Sequence, residues 1–493
     1  MRIYTVSTSA GDIAVEKGTI LLDALHRAGI SVSANCGGKG LCGKCKVQIV
    51  ENAEEKSVLS CRYRIERDLT VLRTDNDRNR LQTGNLMDVS AYPGHYAAVD
   101  LGTTGVSVLL HSGTEGYEKN EINALAPYGA DVISRTSYVH DRGASAQLSA
   151  MLKAQILRMI RELSEKTGIA VPEKIRIGGN TIMQHLLCGI DPFPITVFPF
   201  TPVTKFAGSD SSILLDGSAS ANLMPCVSGY FGGDLTAGIH ALSNILSPDS
   251  RALFTDVGTN CEMALYDGGT WTCCSVASGP ALEGGNLSCG MPGLPGAVEH
   301  VTLEKGKLRF SVIGGEQPKG ICGSGIIDLI AILLEAGIID ETGRMLSPGE
   351  ADVQMNGFTE DEDGNGRIAL SEDVFLTARD VRMIQMAKAA FAAGVTTLLE
   401  ARGLSPADID TVFLAGGFGT FMNIASVTRI GMLPEEFQTR CVPVGNTCLK
   451  GTSKAASADT PQSALNRICD DCRYIELSSN SRFNELYIDN MQF

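Results

Sequence analysis

Apolar and polar residues alternate through RIYTVST (2–8) and predict a strand. A turn at Gly11-Asp12 leads to a second strand. In GTILLDALHRAGI (18–30), Ile20, Leu21, Ala24, Leu25 and Ala28 recur on one helical face, and Gly29 stands at its end. KVQIV (46–50) and LTVLR (69–73) are further strands. Residues 1–75 thus read as a small α+β domain. Residues 76–95 are polar and turn-rich and read as a linker.

From residue 96 onward the pattern repeats itself. AAVDLGTTGVSVLLHSGT (97–114) aligns without gaps on LFTDVGTNCEMALYDGGT (253–270), pairing Asp100 with Asp256, Gly102 with Gly258 and Thr103 with Thr259. KIRIGGN (174–180) pairs with VFLAGGF (412–418), both apolar strands running into Gly-Gly before a helical pattern. Leu148, Leu152, Ile156, Ile160 and Leu163 mark one long amphipathic helix before Gly168. Val381, Ile384, Ala387, Phe391, Val395 and Leu398 mark another before Gly403. The order strand, D-x-G-T, strand, long helix, strand-GG occurs twice. Residues 96–493 therefore predict a duplicated α/β unit of two lobes, about 96–250 and 251–493.

Composition narrows the class. With 44% hydrophobic and 20% charged residues the chain is an ordinary globular protein. Its net charge of −15 argues against general nucleic-acid binding. The charge is uneven: residues 1–80 carry +3 and the remainder −18. The N-terminus has no apolar signal segment. The longest apolar stretch (326–339) is broken by Asp328 and Glu335 and is too short to span a bilayer. A cytoplasmic protein with reduced thiols, and no membrane partner, is expected.

Of 15 cysteines, four lie close together as Cys36-x5-Cys42-x2-Cys45-x15-Cys61. Four thiolates, three from one glycine-rich loop, suit a [2Fe–2S] cluster; structural zinc on the same thiolates is the alternative. Residues 1–75 resemble the β-grasp [2Fe–2S] ferredoxins in the strand–strand–helix prelude, the loop ANCGGKGLCGKC and the LSC of Cys61. The first gap is five residues, as in the adrenodoxin-like branch.

D-x-G-T after an apolar strand places backbone N–H groups and a Thr hydroxyl around phosphates, with the Asp close enough to organise Mg²⁺. Two copies suit a nucleotide clamped by one hairpin from each lobe. Asp100, Gly102, Thr103 and Thr104 form the first set; Asp256, Gly258, Thr259 and Asn260 form the second. Gly416 and Gly417 would allow close approach to adenine or ribose. This constellation looks like the actin-like ASKHA superfamily (ribonuclease H-like) of sugar kinases, heat-shock chaperone ATPases and actin. IGGNTIMQHLLCGIDP (177–192) and ICGSGIIDLI (321–330) would be its connecting helices.

A ferredoxin head fused to such an ATPase resembles the reductive activators of corrinoid proteins. GADVISR (129–135), GGNTIMQHLL, GPALEGG (279–285) and the tail YIELSSNSRFNELYIDNMQF (474–493) also look like that family. The resemblance implies ATP-dependent return of a corrinoid protein's cobalt from Co(II) to Co(I), a low-potential electron donor, and allows a homodimer. Family members carry extra linker and middle domains between cluster and ATPase, for which only about 20 residues stand between residues 76 and 95. The nucleotide motifs alone also fit a small-molecule kinase or a redox-sensing ATP-binding regulator. The activators of 2-hydroxyacyl-CoA dehydratases share the ATPase fold but lack the ferredoxin head.

Smaller signals remain. Asp131 would either pair with Arg135 or orient the attacking water, with Asn180 and Asp191 as competitors for that role. DEDGNGRIALSE (361–372) has EF-hand spacing, yet no amphipathic helix precedes it, and a hairpin is the plainer reading. Cys469-x2-Cys472 lacks further ligands. Lys39, Lys44 and Lys46 offer either a solvated face or a docking patch for an acidic electron partner.

Overall fold

The computed structural model describes residues 3–8, 11–28, 30, 32, 45–52, 54–73, 92–129, 131–258, 260–304, 306–353, 355–361 and 364–493. Cys36, Cys42, Lys39, Lys44, Thr259 and most of the linker lie outside the described residues.

The head contains β1 (Ile3–Thr8), β2 (Gly11–Glu16), α1 (Leu21–Arg27), β3 (Lys46–Glu51), β4 (Glu54–Leu59) and β5 (Leu69–Arg73) in a five-stranded sheet of order β2-β1-β5-β3-β4. The helix is shorter than the sequence pattern predicts. Gly18 lies at φ +86° and donates its N–H to Ile65 O, so the turn before Leu21 is not helical. The apolar face buries Leu21, Leu25, Val47, Ile49, Ile65 and Leu69.

The chain divides into two units, the first holding most of residues 1–233 and the second most of 234–493. Beyond the head, the first unit has β6 (Tyr96–Leu101), β7 (Gly105–Ser112), β8 (Glu115–Ile122), α2 (Val132–Arg142), α3 (Ser145–Thr167), β9 (Ile175–Gly179), α4 (Thr181–Leu187), α5 (Phe193–Thr196), β10 (Ser212–Leu214) and β11 (Ser220–Leu223). Its sheet runs β10-β11-β9-β6-β7-β8. The predicted helix is α3; it buries Leu148, Leu152, Ile156, Ile160 and Leu163 and ends at left-handed Gly168.

The second unit opens with α6 (Gly233–Leu242), β12 (Arg251–Val257), β13 (Cys261–Asp267) and β14 (Thr270–Val276). A small sheet follows, β15 (Ala297–Glu304), β16 (Lys307–Val312) and β17 (Gly320–Ile321), and then α7 (Gly323–Glu335). A second small sheet, β18 (Phe358–Glu360), β19 (Gly366–Ala369) and β20 (Phe375–Thr377), leads into α8 (Ala378–Arg402). The unit closes with β21 (Thr411–Ala415), α9 (Gly416–Phe421), α10 (Ile424–Arg429), β22 (Cys441–Gly445), α11 (Thr447–Ser457), α12 (Gln462–Asp470), β23 (Cys472–Tyr474) and α13 (Ser481–Asp489). Its main sheet runs β22-β21-β12-β13-β14-β23.

The two main sheets share one plan. In each, three consecutive antiparallel strands are followed by a parallel strand, β9 ending in Gly178-Gly179 and β21 running into Gly416-Gly417 at the start of α9. The repeat predicted from the sequence is therefore a structural duplication. The ungapped alignment is one residue out inside the hairpin. Asp100 lies opposite Ser107, seven residues on, whereas Asp256 lies opposite Glu262, six residues on. Because side chains alternate faces, that single residue decides which side chain faces each aspartate. The EF-hand-like segment is a hairpin: β18 pairs with β19 so that Glu360 opposes Gly366, and Asp361 Oδ1 accepts the Asn365 N–H at 2.8 Å.

Candidate functional site

In the head, Cys45 stands at the start of β3 and Cys61 just after β4. Both are buried, and their sulfurs lie 3.1 Å apart. That exceeds the ~2.05 Å of a disulfide bond, so these are two thiols held side by side. Ser60 fixes them, since both its N–H (2.9 Å) and its hydroxyl (3.0 Å) donate to Cys45 O. Two convergent soft donors in a buried setting fit a thiolate-bound iron cluster. Lys46 is exposed beside them.

In the first unit the turn after β6 is tightly built. A Cβ at Gly102 would come within 2.7 Å of Gly105 O, so only glycine closes this turn. Asn123, 1% exposed, donates from Nδ2 to Gly102 O at 2.7 Å, and its N–H donates to Thr104 O at 2.9 Å. Asn180 donates from Nδ2 to Thr103 Oγ1 at 3.1 Å while its Oδ1 caps α4 through Met183 N at 2.9 Å. Asp100 pairs in register with Gly178 of β9, and Thr104 is exposed at the tip. Asp100, Gly102, Thr103 and Thr104 are thus brought together on a loop whose shape two amide side chains set.

Asp131 is placed differently. It is the N-cap of α2, with Oδ1 accepting the Ser134 N–H at 2.7 Å in a capping box. The ion pair expected with Arg135 is not a hydrogen-bonded one. Arg135 is 1% exposed and donates to Gly129 O (2.9 Å) and to Met183 Sδ (3.3 Å). Burial lowers its pKa to about 10, with Asp131 opposing. Asp191 is occupied with His140 Nδ1 at 2.8 Å and the Phe193 N–H at 2.9 Å.

In the second unit Asp256, at the end of β12, pairs in register with Ala415 of β21. Gly416 follows at φ +82°, and a Cβ there would sit 2.7 Å from both Asp256 Oδ1 and Val257 O. Gly417 is exposed in open space. Gly258 donates its N–H to Asn260 O at 3.2 Å and lies near Glu283, the acid of the GPALEGG turn. Across the hairpin stands Glu262, 7% exposed. Burial first, then the charges of Asp234, Asp256 and Glu283, push its carboxyl well above the usual carboxylate range. Sequence motifs give Asn123 and Glu262 no role, and carry Glu283 only as a letter of GPALEGG. The one signal for Glu262 is a lone carboxylate in the apolar strand CEMAL.

Cys469 and Cys472 flank the end of α12, and none of the described cysteines is in a disulfide. Among the described residues no group of three or more His, Cys, Asp or Glu side chains is placed to hold a metal ion, and no helix is long and apolar enough to cross a membrane.

Known proteins share this arrangement. A 2Fe-2S iron-sulfur cluster binding domain family matches residues 6–66, the RACo middle region matches 96–244, and the C-terminal ASKHA domain of RACo matches 250–493. The middle region is therefore present, as the segment read from sequence as the first lobe, and not missing from the linker. "Corrinoid activation enzyme RamQ" of Eubacterium limosum is 27% identical over 98% of this chain and 97% of its own length. "[Co(II) methylated amine-specific corrinoid protein] reductase" of Methanosarcina barkeri is 25% identical over 55% of this chain and 51% of its own. The solved "Reductive activator for corrinoid,iron-sulfur protein" superimposes with a TM-score of 0.70 at 28% identity, over 99% of this chain and 98% of that one. With an iron–sulfur ferredoxin head, the RACo middle region and a nucleotide-binding ASKHA domain following one another along its length, the chain belongs to the RACo family.

Proposed function

We propose that this chain is an ATP-dependent reductive activator, which returns the cobalt of a corrinoid methyltransfer protein from Co(II) to Co(I). The observation that carries this is likeness along essentially the whole chain to proteins named for that activity, head and ATPase together.

The cluster is taken to be of the [2Fe–2S] type, held by Cys36, Cys42, Cys45 and Cys61, and it would supply single electrons drawn from a low-potential donor. The convergence of Cys45 and Cys61, with sulfurs 3.1 Å apart, supports that half of the ligand set. Mg-ATP is assigned to Asp100, Thr103, Asp256 and Thr259, with Gly102, Thr104, Gly258, Asn260, Gly416 and Gly417 shaping the loops. Asn123 and Asn180, through their bonds to Gly102 O and Thr103 Oγ1, would fix the shape of the first loop. Reduction to Co(I) runs uphill. ATP can drive it only if the nucleotide-bound and nucleotide-free forms bind the corrinoid partner with different affinity. A reducing, cytoplasmic setting goes with this reading.

Crossed substitutions test the assignment. Cys42→Ser abolishes the cluster and electron transfer but leaves ATP binding; Asp256→Ala does the reverse. Iron and sulfide analysis reads the first and calorimetric ATP titration the second. Loss of both properties in both variants would contradict the two-module reading.

A further inference from the structure

Residues 196–206 of the first unit, TVFPFTPVTKF, form a surface segment with one charged side chain, Lys205. Val197, Phe198 and Val203 stand out of it, 42, 82 and 59% exposed. Single exposed apolar side chains need no explanation, but three within seven consecutive residues, with the Phe198 ring edge-on to that of Phe200 at 6.1 Å, point to a place of interaction.

The segment is held in that pose. Phe200 lies at φ +60° and Phe206 at +56°, a region in which a bulky residue is a true outlier and persists only when its surroundings over-determine it. They do so here. The Phe200 N–H donates to Val197 O at 2.7 Å, closing a turn with Phe198 inside it. The Phe200 ring packs 6.1 Å from that of Tyr230, whose hydroxyl donates to Ile195 O at 2.8 Å. Lys205 O accepts the Cys226 N–H at 2.9 Å, and Phe206 is fully buried. The fold thus retains backbone strain in a segment that leaves a phenyl ring in water. Stability alone would favour neither.

We propose that this segment is the docking element for the corrinoid protein, with Phe198 as an anchor that enters an apolar pocket of that partner. The assignment rests on the function proposed above. Size favours a visiting partner over a second copy of the chain. A stable interface covers about 800 Å² per partner, whereas a patch of three such side chains reaches on the order of a few hundred Å². A contact that small suits an electron-transfer encounter, which must dissociate after each turnover. With almost no charge on the segment, specificity comes from shape: a rigid aromatic anchor loses little entropy on binding.

The test uses the full-length, cluster-loaded chain and a corrinoid methyltransfer protein in its Co(II) form. Initial rates of Co(I) formation are measured against the concentration of that protein for wild type, Phe198→Asp and Phe198→Leu. Phe198→Asp raises KM for the corrinoid protein at least tenfold, with kcat, the KM for ATP and the cluster absorbance unchanged; Phe198→Leu stays within about threefold of wild type. An unchanged KM in Phe198→Asp overturns the assignment. So does a change seen only in sedimentation velocity, which would make the segment a self-association face. If wild type itself yields no Co(I), the proposed function fails and takes the docking element with it, an outcome distinct from equal KM values in active proteins.

Discussion

Gly416 offers a sharp perturbation because its neighbour Gly417 is a built-in control for folding stability. A methyl group at Gly416 would lie 2.7 Å from Asp256 Oδ1 and from Val257 O, 0.7 Å short of the 3.4 Å at which ordinary contact begins. The residue also sits at φ +82°. A side chain forced into left-handed backbone costs roughly 1–2 kcal/mol, and overpacking adds about 1–3 kcal/mol. Gly416→Ala should therefore destabilise the second unit by about 2–5 kcal/mol, lowering its melting temperature by on the order of 5–15 °C. Part of the misfit falls on the Asp256 carboxylate, so ATP affinity should drop tenfold or more, equivalent to about 1.4 kcal/mol. Gly417 has nothing within 4 Å of a would-be Cβ and no positive φ; the folding stability of Gly417→Ala should stay within about 0.5 kcal/mol of wild type. Calorimetric melting and ATP titration of the two variants decide the matter. Equal loss of stability in both, or wild-type ATP binding by Gly416→Ala, would refute the placement of Gly416 against Asp256 at the nucleotide.

Asn180→Ala removes both a helix cap and the bond to Thr103, whereas Asn180→Ser keeps a capping oxygen and cannot reach Thr103. Both should lose ATP affinity severalfold in titration, and only the alanine variant should melt lower, by the cost of a lost cap, ~0.5–2 kcal/mol. For Glu262 the folded-state pKa is raised above the ordinary value of 4.5. Its contribution to stability is therefore fully present below pH 4.5 and is lost as pH rises through the folded-state value. Glu262→Gln should flatten that slope and melt higher than wild type near neutrality; chemical denaturation at several pH values would expose an unaltered slope and so a wrong assignment.

The long-range plan of the molecule is legible in its sequence because it rests on periodicity and repetition. The helices α3 and α8 follow from apolar spacing, with Gly168 and Gly403 in left-handed caps where the pattern ends. The duplication is legible for the same reason. What escaped depends on registers and contacts that spacing does not carry. The one-residue difference between the hairpins put Glu262, and not its ungapped counterpart Val106, beside an aspartate position. The strand β4, EEKSVL, is an exposed edge of mostly polar residues and carries no apolar alternation. Asn123 is an ordinary polar residue in sequence; only the fold brings it to Gly102, 21 residues away. Asp131 shows the converse limit, since an acidic residue before a helix fits a cap as well as a catalyst, and the sequence does not separate the two.

Coupling of ATP to the reduction of corrinoid cobalt by one chain is open to a direct measurement. The reconstituted protein is mixed with an excess of low-potential reductant and a Co(II) corrinoid methyltransfer protein under strict anaerobiosis, and the cobalt spectrum is followed with and without Mg-ATP. Co(I) is expected only when Mg-ATP is present, with phosphate release stimulated by the corrinoid protein. Co(I) formation at the same extent without ATP, or ATP turnover indifferent to the corrinoid protein, would contradict the coupling.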